Sequence, residues 1–593
     1  MTTVLERPDV VETDRTPAPP RPRGALGLRS ERLLVTLGLL VVGVAHSLNL
    51  AGWPRYWDDE GTYYSQAWSV ANLGALSPYT YWYDHPPAGW LQMALFTWIP
   101  DAILDGTNSS VLAGRIVMVG YTLVTALLTY LLAKRVGMAR GWALAAMLLW
   151  AVNPLVLYEG RQVFLDNVAL PWLIGAFLLV LSKDRHLGHH MAAGLCFGVA
   201  VLSKETTLVF LPALLVGLWQ SAYRPTRPFA VMGFSAITVI SGSMYLLFAL
   251  IRNELFPGPD HVSVWDALAF QLGGREGSGW LLDPNGPSDG AYDSFTGWLQ
   301  LDSGVLVVGG VAASLAALAV RRLRPLAIGV LIAALVALRP AGYLPQMYVV
   351  AVLPFAALVL VGLLDVAWKW LMRARSVPVR AVSGAALLLV LAAVAVPLAN
   401  WRYNYAAAWT ADTNDVRADA LEFAEANLPR ESTVVTDNAF WNDLVDAGWD
   451  SEDVLWFYKV DSDGAVTEQV GGDYTGIDYL VWSAAAAKNA GPIVVEAYEH
   501  SELLWTDGTG EAEVEVRRVR SLAEQAAIQA AEAEAERQQL EAFMAAPSAE
   551  FPELTNGQIE GIRVDRATMS VAQLADKYAT AEETITAILA TDD

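Results

Sequence analysis

Residues 33–72 read LLVTLGLLVVGVAHSLNLAGWPRYWDDEGTYYSQAWSVAN. An apolar run, 33–50, ends in a Trp- and Tyr-rich segment that carries three consecutive acids, Asp58-Asp59-Glu60. A helix needs roughly 20 mostly apolar residues to cross the hydrocarbon core, and aromatic rings gather at the membrane interface. The stretch therefore reads as a first membrane span followed by an outer loop. From Gly61 the pattern is helical, with Tyr64, Ala67, Trp68 and Ala71 on one face. Acids in a first helical turn serve as caps and complement the helix dipole. Carboxylates at a membrane boundary are also costly to bury and so point to function. Both readings of the triplet stay open on pattern alone.

The rest of the chain repeats the first signal. Of 593 residues, 54% are apolar and only 17% charged, where a soluble domain carries about 25% charged residues. Further spans are expected at 111–133, 142–159, 162–182, 191–203, 205–220, 230–251, 304–320, 325–338, 345–364 and 381–398, eleven in all. The fold class is an α-helical polytopic membrane protein. The net charge of −23 is unevenly placed: residues 399–593 hold 38 acids and 12 bases, and residues 1–398 hold 24 acids and 27 bases. A body of spans precedes an acidic soluble part. That balance argues against nucleic-acid binding, which needs cations against phosphate. The single cysteine, Cys196, excludes a disulfide framework.

Positive residues stay cytoplasmic. With the N terminus inside, the inner segments hold 20 of the 27 bases of the membrane half. Eleven spans then put the acidic C-terminal part outside. Among the outer bases, Arg115, Arg161, Lys204 and Arg339 stand at or near span ends. Snorkelling explains a cation there. Several together also suggest a pocket for an anion, with a lipid phosphate the natural ligand. Asp166, in GRQVFLDNVALPW, stands at a depth similar to that of Asp59.

These residues carry a resemblance. The first 400 residues resemble GT-C glycosyltransferases, multi-span enzymes that use polyprenyl-phosphate sugars. Protein O-mannosyltransferases and the lipid A aminoarabinose transferase are the most similar in pattern. The carriers are Asp59-Glu60, YDHPPAGWLQ (Tyr83–Gln92), AGR (Ala113–Arg115), RQVFLD (Arg161–Asp166), Lys204, and RPAGYLPQMYVVAVLP (Arg339–Pro354). The resemblance implies that Asp59 is the catalytic base, with Glu60 supporting it or binding substrate and Asp166 as a second catalytic carboxylate. It implies that His85, Arg115, Arg161, Lys204 and Arg339 face the donor phosphate, and that Asp58, Tyr83 and Tyr343 contact substrate. His85 stands where some relatives have Lys. A divalent cation is a candidate cofactor, held by Asp166 with Glu60 or Asp59, since hard cations prefer oxygen. A lipid phosphate is already a good leaving group, so one carboxylate base suffices and in-line attack inverts the anomeric carbon. A retaining double displacement stays open.

The implied partners are a polyprenyl-phosphate sugar donor, the lipid bilayer, and an extracytoplasmic protein, lipid or glycan acceptor. Mannose or another hexose leads as the sugar. A pentose or aminosugar transferase acting on a lipid or wall polymer is the alternative, as is a non-enzymatic lipid-linked sugar transporter. A transporter predicts internal repeats, and none is visible. The connection 252–303 is long enough to be functional and is expected to cover the outer pocket, with Arg275 and Trp280 as contacts. The organisation expected is a disordered cytoplasmic N terminus (1–32), a transmembrane catalytic body (33–398), an extracytoplasmic α/β domain (399–520), an Ala/Glu-rich helix (521–548) and a small acidic helical tail (549–593). The helix–strand alternation of STVVTD, VLWFYKV, GIDYLVWS, ELLWTDG and AEVEVRRV supports the α/β reading.

Overall fold

The computed structural model describes residues 25–75, 83, 85–104, 109–184, 186–258, 263–340, 342–373 and 376–591. Most of the expected N-terminal segment, 1–24, lies outside these residues.

The chain is mostly helical. Helix α1 (Ala25–Ser47) delivers the chain to α2 (Asp58–Asn72), which begins on the acidic triplet. Helices Ser110–Arg135, Leu165–Val180, Leu187–Ser203, Arg227–Ile251 and Leu353–Arg373 pack into one continuous apolar core that runs from Val42 to Trp401. The outward face of Arg227–Ile251 shows Met232, Val239 and Ile251 at 64%, 67% and 75% exposure, the surface a helix turns to lipid.

Several expected spans are broken or short. Among the described residues, four helices are long and apolar enough to cross a membrane: Arg29–Ser47, Ser110–Arg135, Arg224–Ile251 and Gln346–Arg373. The stretch 142–159 is two helices, Arg140–Ala151 and Pro154–Glu159, because Pro154 has no N–H to continue the first one. The stretch 205–220 opens as a 3₁₀ turn, Glu205–Phe210, before Leu211–Ser221. Near 304–320, helices Ala291–Asp302 and Val307–Ala317 meet at 88°. Asp302 explains that corner, because its carboxylate accepts the backbone N–H groups of Leu306 and Val307 at 2.8 Å.

The soluble part forms a five-stranded sheet, β1 (Val434–Thr436), β2 (Val454–Trp456), β3 (Tyr479–Ser483), β4 (Ser501–Asp507) and β5 (Val514–Val519), in the order β2-β1-β3-β5-β4. β1 runs parallel to β2 and β3, whereas β5 is antiparallel to β3 and β4. Its core includes Trp441, Trp456 and Leu480. Helix Leu522–Ala545 buries no residue, and three short helices beyond it share a small core around Ile562, Leu574 and Ile585.

Candidate active site

The turn between α1 and α2 is held from inside. Arg115, fully buried on Ser110–Arg135, forms a two-pronged pair with Glu60: Nη2 to Oε1 at 2.6 Å and Nε to Oε2 at 2.9 Å. Its Nη1 donates to the carbonyls of Leu50 and Pro54 at 3.1 and 2.8 Å. Glu60 also accepts the N–H groups of Trp57 and Val163 at 3.2 and 3.0 Å. Arg115 pairs with Glu60, and together they fix the turn that leads to Asp59. Arg161 is buried among backbone carbonyls, and its Nε has no hydrogen-bond partner among the described residues. It donates to Ala45, Trp53 and Ala408 carbonyls at 2.6, 3.2 and 3.3 Å, and so ties α1 to helix Val377–Thr410. Glu60→Gln keeps the shape and removes the counter-charge of a buried guanidinium. It is expected to cost about 1–3 kcal/mol of stability, read as a lower thermal midpoint of the solubilised protein. An unchanged midpoint would contradict this structural role.

Asp59 stands apart from that lock. Its side chain is half-exposed, and among the described residues no hydrogen bond or ion pair reaches its carboxylate. Successive helical residues differ by about 100° in direction. Asp58 accordingly turns to the C-terminal domain, where burial first and Asp437 second push its carboxyl above the usual range, with Arg417 opposing. Asp59 instead shares a face with Tyr63, four residues on. Burial, then the charges of Asp59, Asp166 and Glu205, hold the Tyr63 hydroxyl well above its ordinary value, so it stays a donor.

Around Tyr63 lies the polar centre. His85 Nε2 meets the Tyr63 hydroxyl at 3.1 Å and Lys204 Nζ at 3.2 Å, and His85 Nδ1 meets Glu205 Oε2 at 3.2 Å. The Glu205 carboxylate only accepts, so the contact at Nδ1 is a hydrogen bond donated by the ring N–H. Lys204 is only 3% exposed. It sits in extended backbone between helix Leu187–Ser203 and the 3₁₀ turn, and that break aims its side chain at His85. Asp166 is 2% exposed, in the first turn of Leu165–Val180, and among the described residues neither of its oxygens has a hydrogen-bond partner. Lys204, Glu205 and His85 are its electrostatic neighbours.

The remaining candidates are placed differently. Arg339 is exposed and donates to the Tyr343 carbonyl at 2.6 Å. The Tyr343 ring carries Arg275 at 3.4 Å from its centroid, and Asp59 and Lys204 lie in its electrostatic surroundings. Arg275 thus enters the neighbourhood through the 252–303 connection, while Trp280 donates to the Leu338 carbonyl at 3.1 Å. Tyr83 spends its hydroxyl on Glu254 at 2.5 Å. A divalent cation held by Asp166 and Glu60 does not fit, because four donors already occupy Glu60. Among the described residues no group of three His, Cys, Asp or Glu could hold a metal. Sequence reading missed Tyr63 and Glu205. Tyr63 was visible in its spacing from Asp59, whereas Glu205 had no signal beyond its adjacency to Lys204.

Residues 84–248 match the family model described as dolichyl-phosphate-mannose-protein mannosyltransferase. That stretch contains His85, Arg161, Asp166, Lys204 and Glu205. No curated protein matches the chain. Among solved structures, ArnT from Cupriavidus metallidurans in the apo state is similar with a TM-score of 0.50 and 14% identity, over 84% of this chain and 99% of that one. The Archaeoglobus fulgidus oligosaccharyltransferase in the apo form has a TM-score of 0.49 and 15% identity, over 80% of this chain and 73% of that one. The S. cerevisiae protein O-mannosyltransferase Pmt1-Pmt2 complex bound to the sugar donor has a TM-score of 0.30 and 18% identity, over 38% of this chain and 34% of that one.

Proposed function

We propose that this chain, a GT-C glycosyltransferase, moves one monosaccharide from a polyprenyl-phosphate donor to an acceptor outside the cytoplasm. The observation that carries the reading is that an unengaged carboxylate, Asp59, and a buried cation, Lys204, both lie in the electrostatic surroundings of Tyr343. The acceptor hydroxyl attacks the anomeric carbon while Asp59 takes its proton. The bond from that carbon to the phosphate oxygen breaks, and polyprenyl phosphate leaves with its pair of electrons. Lys204 faces the charge that grows on the phosphate, where low dielectric strengthens the attraction. Tyr63 and His85 hold Lys204 in place, and Glu205 accepts the His85 Nδ1 N–H. Attack opposite to the departing phosphate inverts the anomeric centre.

Mannose is favoured as the sugar by the match over residues 84–248. A pentose or aminosugar is the second reading, supported by the fold shared with ArnT. Turnover of a panel of polyprenyl-phosphate sugars in purified membranes separates them: mannose turning over fastest supports the first, and preference for an aminosugar or pentose supports the second.

The acidic C-terminal part lies outside the cell in this reading, with the N terminus inside. Thr509 is exposed beyond β4. With Cys196, the one native cysteine, replaced by Ala, Thr509→Cys is expected to react with an impermeant thiol reagent in intact cells. Labelling only after membrane disruption would reverse the orientation.

A further inference from the structure

The C-terminal α/β domain is joined to the catalytic segment along its length. Asn414 donates from Nδ2 to the carbonyls of Ala51 and Pro54 at 2.7 and 3.0 Å and accepts the Tyr56 N–H at 2.9 Å. Thr413 N–H donates to the Gly52 carbonyl at 2.9 Å. At the other end, Asn438 Nδ2 donates to Thr62 Oγ1, one turn after Asp58. Asp443 accepts the Ser110 N–H at 2.6 Å, which anchors the same domain to the helix that carries Arg115.

The tightest point is Gly61. A Cβ there would lie 2.3 Å from the Asn438 carbonyl oxygen and 2.4 Å from the Ala439 nitrogen. The first turn of α2 therefore touches the backbone at the start of helix Asn438–Asp446. That helix start is itself fixed: Asp437 caps it, and Arg417 Nη2 donates to both Asp437 carboxylate oxygens at 2.6 and 2.7 Å. Asp437 is fully buried. A rigid, ion-paired corner of the outer domain thus presses on residues 61–62, flanking Asp59 on its C-terminal side, while Asn414 holds residues 51–56 on the N-terminal side.

We propose that the outer domain is a working part of the transferase: it seats the first turn of α2 and thereby sets the position of the Asp59 carboxylate, with Thr62 and Asn438 as positioning residues. The proposal rests on Asp59 acting as the base. Lys204 and His85 belong to other elements and meet α2 through Tyr63, so loosening this seat acts first on the base, which has no other anchor among the described residues. A displacement of about 1 Å from remote changes costs up to 10²-fold in rate.

The test compares Thr62→Val, which removes the hydroxyl at constant shape, with Thr62→Ser, which keeps it. Thr62→Val is expected to lower kcat about tenfold, with the donor KM within about twofold of wild type, and Thr62→Ser to restore most of the loss. Gly61→Ala forces the two backbones apart and is expected to cost about ten- to fiftyfold in kcat. Deuterium exchange of the 58–66 segment in the full-length protein should quicken in Thr62→Val and not in Thr62→Ser. A wild-type kcat in Thr62→Val overturns the proposal, whatever the exchange shows. Equal losses in Thr62→Val and Thr62→Ser overturn it as well. If Asp59→Asn remains active, the base assignment fails by itself.

Discussion

Asp59→Asn is expected to lower transfer by about 10²–10⁴-fold, the contribution of a positioned general base. The substitution keeps the size of the side chain and removes its ability to take a proton. Nothing in the fold depends on the charge, because the half-exposed carboxylate has no hydrogen bond or ion pair among the described residues. Donor binding and thermal stability should therefore stay close to wild type. Asp58→Asn supplies the contrast. Asp58 faces Asp437 and Arg417 of the outer domain, not the polar centre, so its loss should be much milder. A drop below tenfold for Asp59→Asn sinks the base assignment. A fatal Asp58→Asn with a working Asp59→Asn would exchange the two roles.

Lys204→Met carries the second large effect. Methionine keeps an unbranched apolar stem and removes only the ammonium. Lys204 is 3% exposed, 3.2 Å from His85 Nε2, and lies over the Tyr63 ring at 5.8 Å. Glu205 engages His85, and among the described residues no ion pair reaches the Lys204 ammonium. Charge develops on the phosphate only as the glycosidic bond breaks. Removing the cation should thus lower kcat more than it weakens donor binding. Loss of one such stabiliser costs about 2.7–4 kcal/mol, or 10²–10³ in turnover. A near wild-type rate would make Lys204 a folding residue. A loss confined to KM would place its interaction in the ground state.

The apolar helical character of the body was legible because its signal is local. An apolar run reports burial in lipid wherever it occurs, and Asp58-Asp59-Glu60 marked the loop that follows the first one. Helix breaks were less visible. Pro154 announces one, but the 88° corner after Asp302 depends on a carboxylate capping N–H groups across a turn. The sheet was readable from its alternating and apolar runs, since β-strand signals are also short-range.

The site divided along the same line. Asp59 stood out because acids at a membrane boundary are costly. The reading of Arg115 and Arg161 as phosphate ligands treats a cation at the outer face as awaiting an external anion. The fold also supplies internal partners: Glu60, 55 positions away from Arg115, and backbone carbonyls as distant as Ala408. Such long-range pairing has no local signature. The same holds for His85 and Glu205, 120 positions apart. Tyr63 was the exception, since an i, i+4 spacing from Asp59 puts both on one helix face.

The most direct measurement uses sealed vesicles with the outer face accessible, polyprenyl-phosphate mannose labelled in the sugar, and an acceptor extract. Label on the acceptor and free polyprenyl phosphate are followed together. Transfer by the wild-type chain should produce both in equal amounts, and Asp59→Asn should produce neither. Label that crosses the bilayer still joined to its lipid, or transfer that persists in Asp59→Asn, would contradict a carboxylate-driven sugar transfer at the outer face.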